Sequence, residues 1–247
     1  MNLKDKPSLS VIIPCFNEED NILKVIKEVE KHVKDHLFVK EIIIVDGGST
    51  DKTAELLEKE FETKDRDKFK LLLLETRNGY GADILSGLNV ATGNILAWTH
   101  ADLQTDVSDV ISGYHMFLSS ESKKIVVKGK RINRKKLDSF LTSGMGLISF
   151  LMLRTYLEDI NAQPKIMSKD FYNLFIKNKN PPKDFSLDLF LLFQAKKSGY
   201  SILSFPVEFK DRYSGVAKGG GGSIRNRINL ITRTFRYIFK LKSVSDK

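Results

Sequence analysis

The sequence predicts an α/β fold, a mostly parallel central sheet covered by helices on both faces. Three observations carry that expectation. From Ser8 to Trp98, short β-branched runs alternate with stretches of helical periodicity, the pattern of repeated strand–helix–strand crossovers. The runs are apolar throughout rather than alternating, as strands buried on both faces are. Polar loops follow three of them, Pro14-Cys15-Phe16-Asn17-Glu18, Asp46-Gly47-Gly48-Ser49 and Ala101-Asp102-Leu103-Gln104, at the carboxyl ends of strands where open α/β sheets bind ligands.

Ser8 to Ile13 reads as a first central strand stopped by Pro14. Asn17 is placed to cap the next helix, with Glu18, Glu19 and Asp20 in its first turn, where the helix dipole favours acids. Ile22, Val25, Ile26, Val29 and Val33 then form a core-facing stripe. Glu41 to Val45 is the second strand. The following helix carries Ala54, Leu56, Leu57 and Phe61. A charged turn, Lys64 to Lys68, precedes a third strand from Phe69 to Leu74. Asn78-Gly79-Tyr80-Gly81 opens a helix bearing Ile84, Leu85 and Leu88, which Gly93 ends. Asn94 to Trp98 is the fourth strand, and a helix runs from Val107 to Leu118. Asp102 and Gln104 thus sit two residues apart at a strand exit, with oxygens able to converge on one hard cation, or with the aspartate serving the next helix as a cap.

The second half is less regular. Ile125 to Val127 is a short strand, and Lys128-Gly129-Lys130-Arg131 with Arg134-Lys135-Lys136 forms a basic loop. Leu137 to Leu153 reads as an apolar helix and Asp184 to Lys196 as another, followed by late strands at Ile202-Leu203 and Val207 to Phe209. Lys218 to Gly222 is a glycine-rich loop. Beyond it, Ile224, Ile228, Ile231, Phe235 and Ile238 interleave with Arg225, Arg227, Arg233, Arg236 and Lys240 in a basic amphipathic C-terminal helix. The expected division is one domain over residues 1–218, its halves meeting near 106, with the loop and helix over 219–247.

The 247 residues hold 40 Lys and Arg against 31 Asp and Glu, a net charge of +9. The excess suggests an anionic partner: a nucleotide, a phospholipid headgroup or a nucleic acid. No nucleic-acid motif is present, so nucleic acid is not expected as a partner. One cysteine, Cys15, excludes an internal disulfide framework and fits a reducing compartment. Met1 to Lys6 has charge but no apolar core, so no signal peptide is expected. The most apolar window, Phe140 to Leu153, falls short of the roughly 20 residues a membrane span needs. The expected location is cytoplasmic, with any membrane contact peripheral, at the inner face of the cytoplasmic membrane.

The three strand-end loops, together with Gly79-Tyr80-Gly81-Ala82, Gly129-Lys130-Arg131, Asp159-Ile160-Asn161-Ala162-Gln163-Pro164-Lys165 and Phe209 to Lys218, resemble the motifs of family 2 glycosyltransferases, which have the GT-A (Rossmann-like) fold. The likeness is greatest to the dolichyl- or polyprenyl-phosphate sugar synthase branch. It implies a metal-dependent, inverting transfer of a hexose from a GDP- or UDP-sugar to a polyprenyl phosphate. By the same resemblance Pro14, Phe16, Glu18, Asp46, Gly48, Ser49, Ala101 and Asp102 line the nucleotide. Asp102 and Gln104 match ligand positions for Mg²⁺ or Mn²⁺, hard cations that take oxygen donors. The family pattern there is Asp-x-Asp, and His100 occupies the first position. With His100 neutral, Asp102, Gln104 and nearby Asp106 remain as donors.

An ionised phosphate acceptor needs cations to position it, not a base. Arg131, Arg212 and Lys218 match the family's basic positions, and Arg134 is placed to join Arg131. A glycan hydroxyl acceptor, as in surface polysaccharide or lipopolysaccharide assembly, would need a base. Asp188 falls where hydroxyl-transferring relatives keep one, or is a helix surface carboxylate. Asp159 either supports the acceptor loop or caps a turn. The basic C-terminal segment suits docking on the sheet or contact with an anionic membrane surface. His100 also raises the alternative of a weakly active nucleotide-sugar-binding protein.

Overall fold

A computed structural model of the chain describes residues 6–133, 155–210, 232–239 and 241. Seven strands form one sheet in the order β3-β2-β1-β4-β6-β5-β7. The strands are β1 (Leu9–Cys15), β2 (Val39–Asp46), β3 (Phe69–Leu73), β4 (Ile95–Trp98), β5 (Ile125–Ile132), β6 (Lys165–Ser168) and β7 (Ser201–Glu208). β6 runs antiparallel to β4 and β5, and the other pairings are parallel. The mostly parallel sheet predicted from the alternating runs is the one observed.

Alternate residues of β1 divide the core. Leu9, Val11 and Ile13 face α1 (Ile22–Val33), α2 (Thr53–Phe61) and α4 (Ser108–Ser119), whose Val25, Leu57 and Tyr114 are buried beside them. Ile12 faces α3 (Tyr80–Val90) and, within the same cluster, α5 (Lys169–Tyr172) and α6 (Ser186–Lys197). α5 continues as a π-helical turn, Asn173–Lys177. A sheet buried on both faces requires apolar residues at every position, which is why β1 and β2 read as continuous runs.

Several boundaries differ from the sequence reading. β1 does not stop at Pro14 but includes it. Ile12 bonds on the β4 side through Thr99 N–H, while the Cys15 carbonyl accepts from Gly47 on the β2 side. Pro14 shares the parity of Ile12, and β4 has already ended opposite Trp98. Its missing N–H therefore breaks no ladder bond. Asn17 does not cap α1: it lies at φ 52° and bonds to Thr50, while Asn21 occupies the cap. Lys128 to Arg131 are not a loop but the end of β5, paired with β7, and Lys128 also pairs with β6. β7 is one strand through Pro206, tolerated at a sheet edge. β6 was not anticipated, because its four residues bear polar Lys165 and Ser168 at their ends.

Residues 232–239 are helical, with Ile238 and Leu241 buried in the cluster that holds α6, and Arg233, Arg236 and Phe239 exposed. The remainder of the expected C-terminal helix, the glycine run, the apolar segment 137–153, and Arg134, Arg212 and Lys218 lie outside the described residues. Among those described, no helix is long and apolar enough to cross a membrane.

Candidate active site

Parallel strands place their exits on one edge, so the loops after β1, β2 and β4 and the start of α3 converge there. Loop β1–α1 is latched to loop β2–α2 by Asn17. Its N–H donates to Ser49 Oγ at 2.8 Å, and its Oδ1 accepts from Thr50 N–H at 2.7 Å. Glu18 is nearly buried, its N–H bonded to Thr53 Oγ1 at 2.8 Å and its carboxylate taken by Asn21 Nδ2 at 2.7 Å. Asp46 is buried at the end of β2, where Ser49 N–H (3.0 Å) and the Ser49 hydroxyl bond its two oxygens. Oδ1 also lies 4.0 Å from the Cys15 thiol, and Oδ2 has a second lone pair beyond its bond from Ser49 N–H. Gly48 follows at φ +76°, where a side chain would be strained.

Above this floor the Arg77 guanidinium lies 4.1 Å from the centroid of the Phe16 ring. Arg77 is ion-paired to Asp83 of α3, and a Cβ on Gly47 would meet Asp83 Oδ2 at 2.5 Å and Arg77 Nη1 at 2.6 Å. Phe16, Gly47, Arg77 and Asp83 thus make one shelf at the exits of β1 and β2, its guanidinium charge balanced by Asp83. Burial pushes the Asp83 carboxyl above its ordinary range and Asp46 adds to the rise, while Arg77 opposes it. Neither Arg77 nor Asp83 was singled out from the sequence; the one signal was a basic residue beside the Asn78-Gly79 turn. Pro14, expected on this loop, is buried within β1 instead.

At the β4 exit, Asp102 Oδ1 accepts from Gln104 N–H at 3.1 Å. Ala101 is buried beneath it. Gln104 is turned towards the segment after β7: its Nε2 donates to the Lys210 carbonyl at 3.2 Å, and its own carbonyl accepts from Lys210 N–H at 2.9 Å. Asp106 is engaged elsewhere, bonded by Ser108 N–H and Oγ at the start of α4 and by Lys210 Nζ at 3.4 Å. It does not add to the donors at Asp102. The His100 ring stacks at 5.7 Å on Tyr80, which stacks at 4.5 Å on Phe185. Burial holds the His100 pKa below its ordinary value, outweighing the pull of Asp102 and Asp188, so the ring is neutral at pH 7.

This donor set suits a hard divalent ion of a particular kind. Among the described residues no three His, Cys, Asp or Glu side chains converge as a cage. One carboxylate with a neighbouring carboxamide matches an ion that takes most of its shell from diphosphate oxygens and water.

The end of β5 and the start of β6 carry three cations, Lys128, Arg131 and Lys165. Arg131 is tied to Asp159 by its N–H (2.8 Å), Nε (2.9 Å) and Nη2, and its guanidinium lies 5.3 Å from the Phe209 ring. Asp159, at φ 43°, braces this strand end through Arg131, and its carbonyl also accepts from Ala162 N–H in the following turn. Lys165 is fully buried, its Nζ 2.5 Å from the Ala162 carbonyl and 3.2 Å from Asp188 Oδ1. Asp188 also accepts from Gln163 Nε2 at 3.1 Å, and the same amide reaches the Tyr80 hydroxyl at 3.1 Å. Asp188 is therefore buried in a network and not on the helix surface. Lys128 is 3 % exposed and bonds the carbonyls of Gly129 and Asp159. Buried lysines were invisible to a reading that assigns cations to loops. Arg212 and Lys218 lie beyond the described residues, so their relation to Arg131 is not part of this geometry.

Comparison with known proteins places these features in context. Residues 10–178 match the sequence profile described as Glycosyl transferase family 2. A dolichyl-phosphate beta-glucosyltransferase of Trichomonas vaginalis is 25% identical over 261 residues, covering 98% of this chain and 78% of the relative. An undecaprenyl-phosphate 4-deoxy-4-formamido-L-arabinose transferase of Pseudomonas fluorescens is 31% identical over 102 residues, 41% of this chain and 30% of the relative. Glucosyl-3-phosphoglycerate synthase of Mycobacterium tuberculosis, crystallised with Mn²⁺, UDP and glucosyl-3-phosphoglycerate, superposes with a TM-score of 0.72. The identity is 17%, with 97% of this chain and 81% of that one covered, a likeness of fold.

Proposed function

The chain belongs to the family 2 glycosyltransferases, and from that membership we propose that it moves a hexose, with inversion, from a nucleotide diphosphate sugar to a polyprenyl phosphate. The names of its relatives support the acceptor class. The observation that carries the reading is the charge balance at the acceptor side. Arg131 is paired with Asp159 and Lys165 with Asp188, while the buried Lys128 bonds only the Gly129 and Asp159 backbone carbonyls, a cation whose charge an anionic ligand at this end of the sheet would offset. A hydroxyl acceptor would need a base, and Asp188, the carboxylate matched to that role, already spends its oxygens on Lys165 and Gln163.

In this reading the shelf of Phe16 and Arg77 holds the base and ribose, with Asp46, Glu18, Gly48 and Ser49 beside it. Asp102 with Gln104 would hold Mg²⁺ or Mn²⁺. When bound, such an ion would supply charge neutralisation for the departing diphosphate. Arg131, joined by Arg212 and Lys218, orients the acceptor phosphate so that one of its oxygens faces the anomeric carbon. That oxygen forms the new bond as the bond to the nucleoside diphosphate breaks on the opposite side, and no proton need be removed. Neutral His100 and Tyr80 wall the cleft between the two substrates. The exposed Arg233, Arg236 and Phe239 of residues 232–239 support a peripheral contact with an anionic membrane surface, with Ile238 turned to the protein.

The test is incubation with Mn²⁺ and labelled UDP- and GDP-sugars in the presence of a short polyprenyl phosphate. Labelled lipid is the expected product, and Asp102→Ala is expected to abolish it while leaving the fold intact. Transfer to glycans alone, with none to the lipid phosphate, would overturn the proposal.

A further inference from the structure

Lys128 is hard to account for by packing. It sits in β5 opposite Lys165 of β6, which in turn lies opposite Trp98 of β4. Two lysines thus face each other across one ladder at the acceptor end of the sheet, and like charges so placed repel. Lys165 has a carboxylate partner in Asp188. Lys128 has none among the described residues: its Nζ bonds two backbone carbonyls, Gly129 at 2.9 Å and Asp159 at 3.2 Å. A long cation buried with no carboxylate in direct contact costs free energy, so a use for it is to be expected. The second carbonyl points to that use. Asp159 is held at a positive φ, a conformation a non-glycine residue seldom adopts, and its carboxylate receives the three hydrogen bonds of Arg131.

We propose that Lys128 is a positioning residue for an anionic acceptor: its ammonium pins the Asp159 backbone so that the Asp159 carboxylate presents Arg131 to the acceptor's phosphate, whose charge in turn offsets that of Lys128. The inference rests on the acceptor being a phosphate. Glu158 and Asp159 on one side, and Lys165 and Arg131 on the other, are the charged groups around the ammonium. Burial lowers the Lys128 pKa to about 8, with Lys165 and Arg131 adding to the fall against Asp159 and Glu158. The ammonium is present below that pH and lost above it. A phosphate monoester, with its second pKa near about 6, is almost wholly in its dianionic form between about pH 7 and about pH 9.

The experiment measures KM for a short polyprenyl phosphate and for the donor sugar nucleotide, with Mg²⁺, at about pH 7 and about pH 9. For the native chain the acceptor KM is expected to rise about tenfold across this interval, the loss expected of one charged hydrogen bond, while the donor KM stays level. Lys128→Met, which keeps the length of the side chain, is expected to show the raised acceptor KM already at the lower pH and no further change. The pH profile of the native chain needs no variant, so a poorly folding Lys128→Met leaves the test standing. A flat acceptor KM in the native chain, or equal increases for both substrates, would overturn the role of Lys128 alone. Absence of transfer to any polyprenyl phosphate would remove the acceptor assignment and this inference together.

Discussion

Lys165 Nζ stands 3.2 Å from Asp188 Oδ1 with both side chains withdrawn from solvent, one on β6 and the other in the first turn of α6. The pair fastens α6 to the sheet at the start of β6. Gln163 extends it to the Tyr80 hydroxyl, so the start of β6 and the start of α3 share one buried polar network.

Removing one member of such a pair strands the other. Lys165→Met is expected to destabilise the fold by about 3–5 kcal/mol, because a buried carboxylate is left uncompensated. For a chain of this length that is a fall of roughly 10 °C in Tm. Lys165→Met combined with Asp188→Leu is expected to recover most of the loss. Thermal unfolding of the three proteins checks this; equal losses in the single and double variants would mean the pair contributes by shape alone.

Asp188→Asn separates the two acceptor chemistries. A phosphate acceptor brings its own negative oxygen, so transfer to polyprenyl phosphate is expected to fall by less than about tenfold once stability is allowed for. General base catalysis contributes about 10²–10⁴-fold, and a loss of that size in kcat would assign Asp188 to proton removal from a hydroxyl. Initial rates with saturating donor decide between them.

The Phe16–Arg77 contact predicts its own phenotype. Stacking of a guanidinium on an aromatic ring is worth about 0.5–2 kcal/mol, and in the proposed site the ring would also orient Arg77 towards the nucleotide. Phe16→Ala is expected to weaken UDP or GDP binding by about tenfold in calorimetry, with little change in acceptor KM. Equal binding by Phe16→Ala would place the nucleotide off this shelf.

How far these residues could be read from sequence follows from the kind of signal each leaves. β1, β2 and β4 announce themselves, since burial on both faces demands unbroken apolar runs. β6 and the end of β5 do not, because Lys128, Arg131 and Lys165 are charged and look like loop residues, although the fold buries two of them beside carbonyls and carboxylates. Asp46 and Asp102 are legible as strand-exit acids. Arg77 and Asp83 form a pair only through the curl of the chain into α3, and no local pattern encodes it. Asn17 has the composition of a helix cap, yet its better partner is Thr50 on a neighbouring loop, a tertiary contact that outbids the local one.

Glu41 makes a prediction at the opposite end of the sheet. It is buried at the start of β2, where Ser10 Oγ (2.6 Å), Thr92 N–H (2.6 Å) and Thr92 Oγ1 (2.9 Å) bond Oε1, and Lys70 Nζ bonds Oε2 at 2.5 Å. One carboxylate thereby joins β1, β2, β3 and the turn after α3. Burial alone would raise its pKa; the hydrogen bonds of Lys70, Ser10 and Thr92 override it and bring the value to about 2, from 4.5. A carboxyl depressed in the folded state contributes stability above its unfolded value and loses it as pH falls through the folded one. The native chain is therefore expected to lose roughly 2 kcal/mol from this site between pH 4.5 and about 2, a figure reduced because Lys70 is partly exposed. Glu41→Gln is expected to be less stable by a similar amount at pH 7 and to show a flatter acid limb, the two curves converging near about pH 2. Denaturant unfolding across that range checks it: parallel curves would show that the acid sensitivity arises elsewhere in the chain.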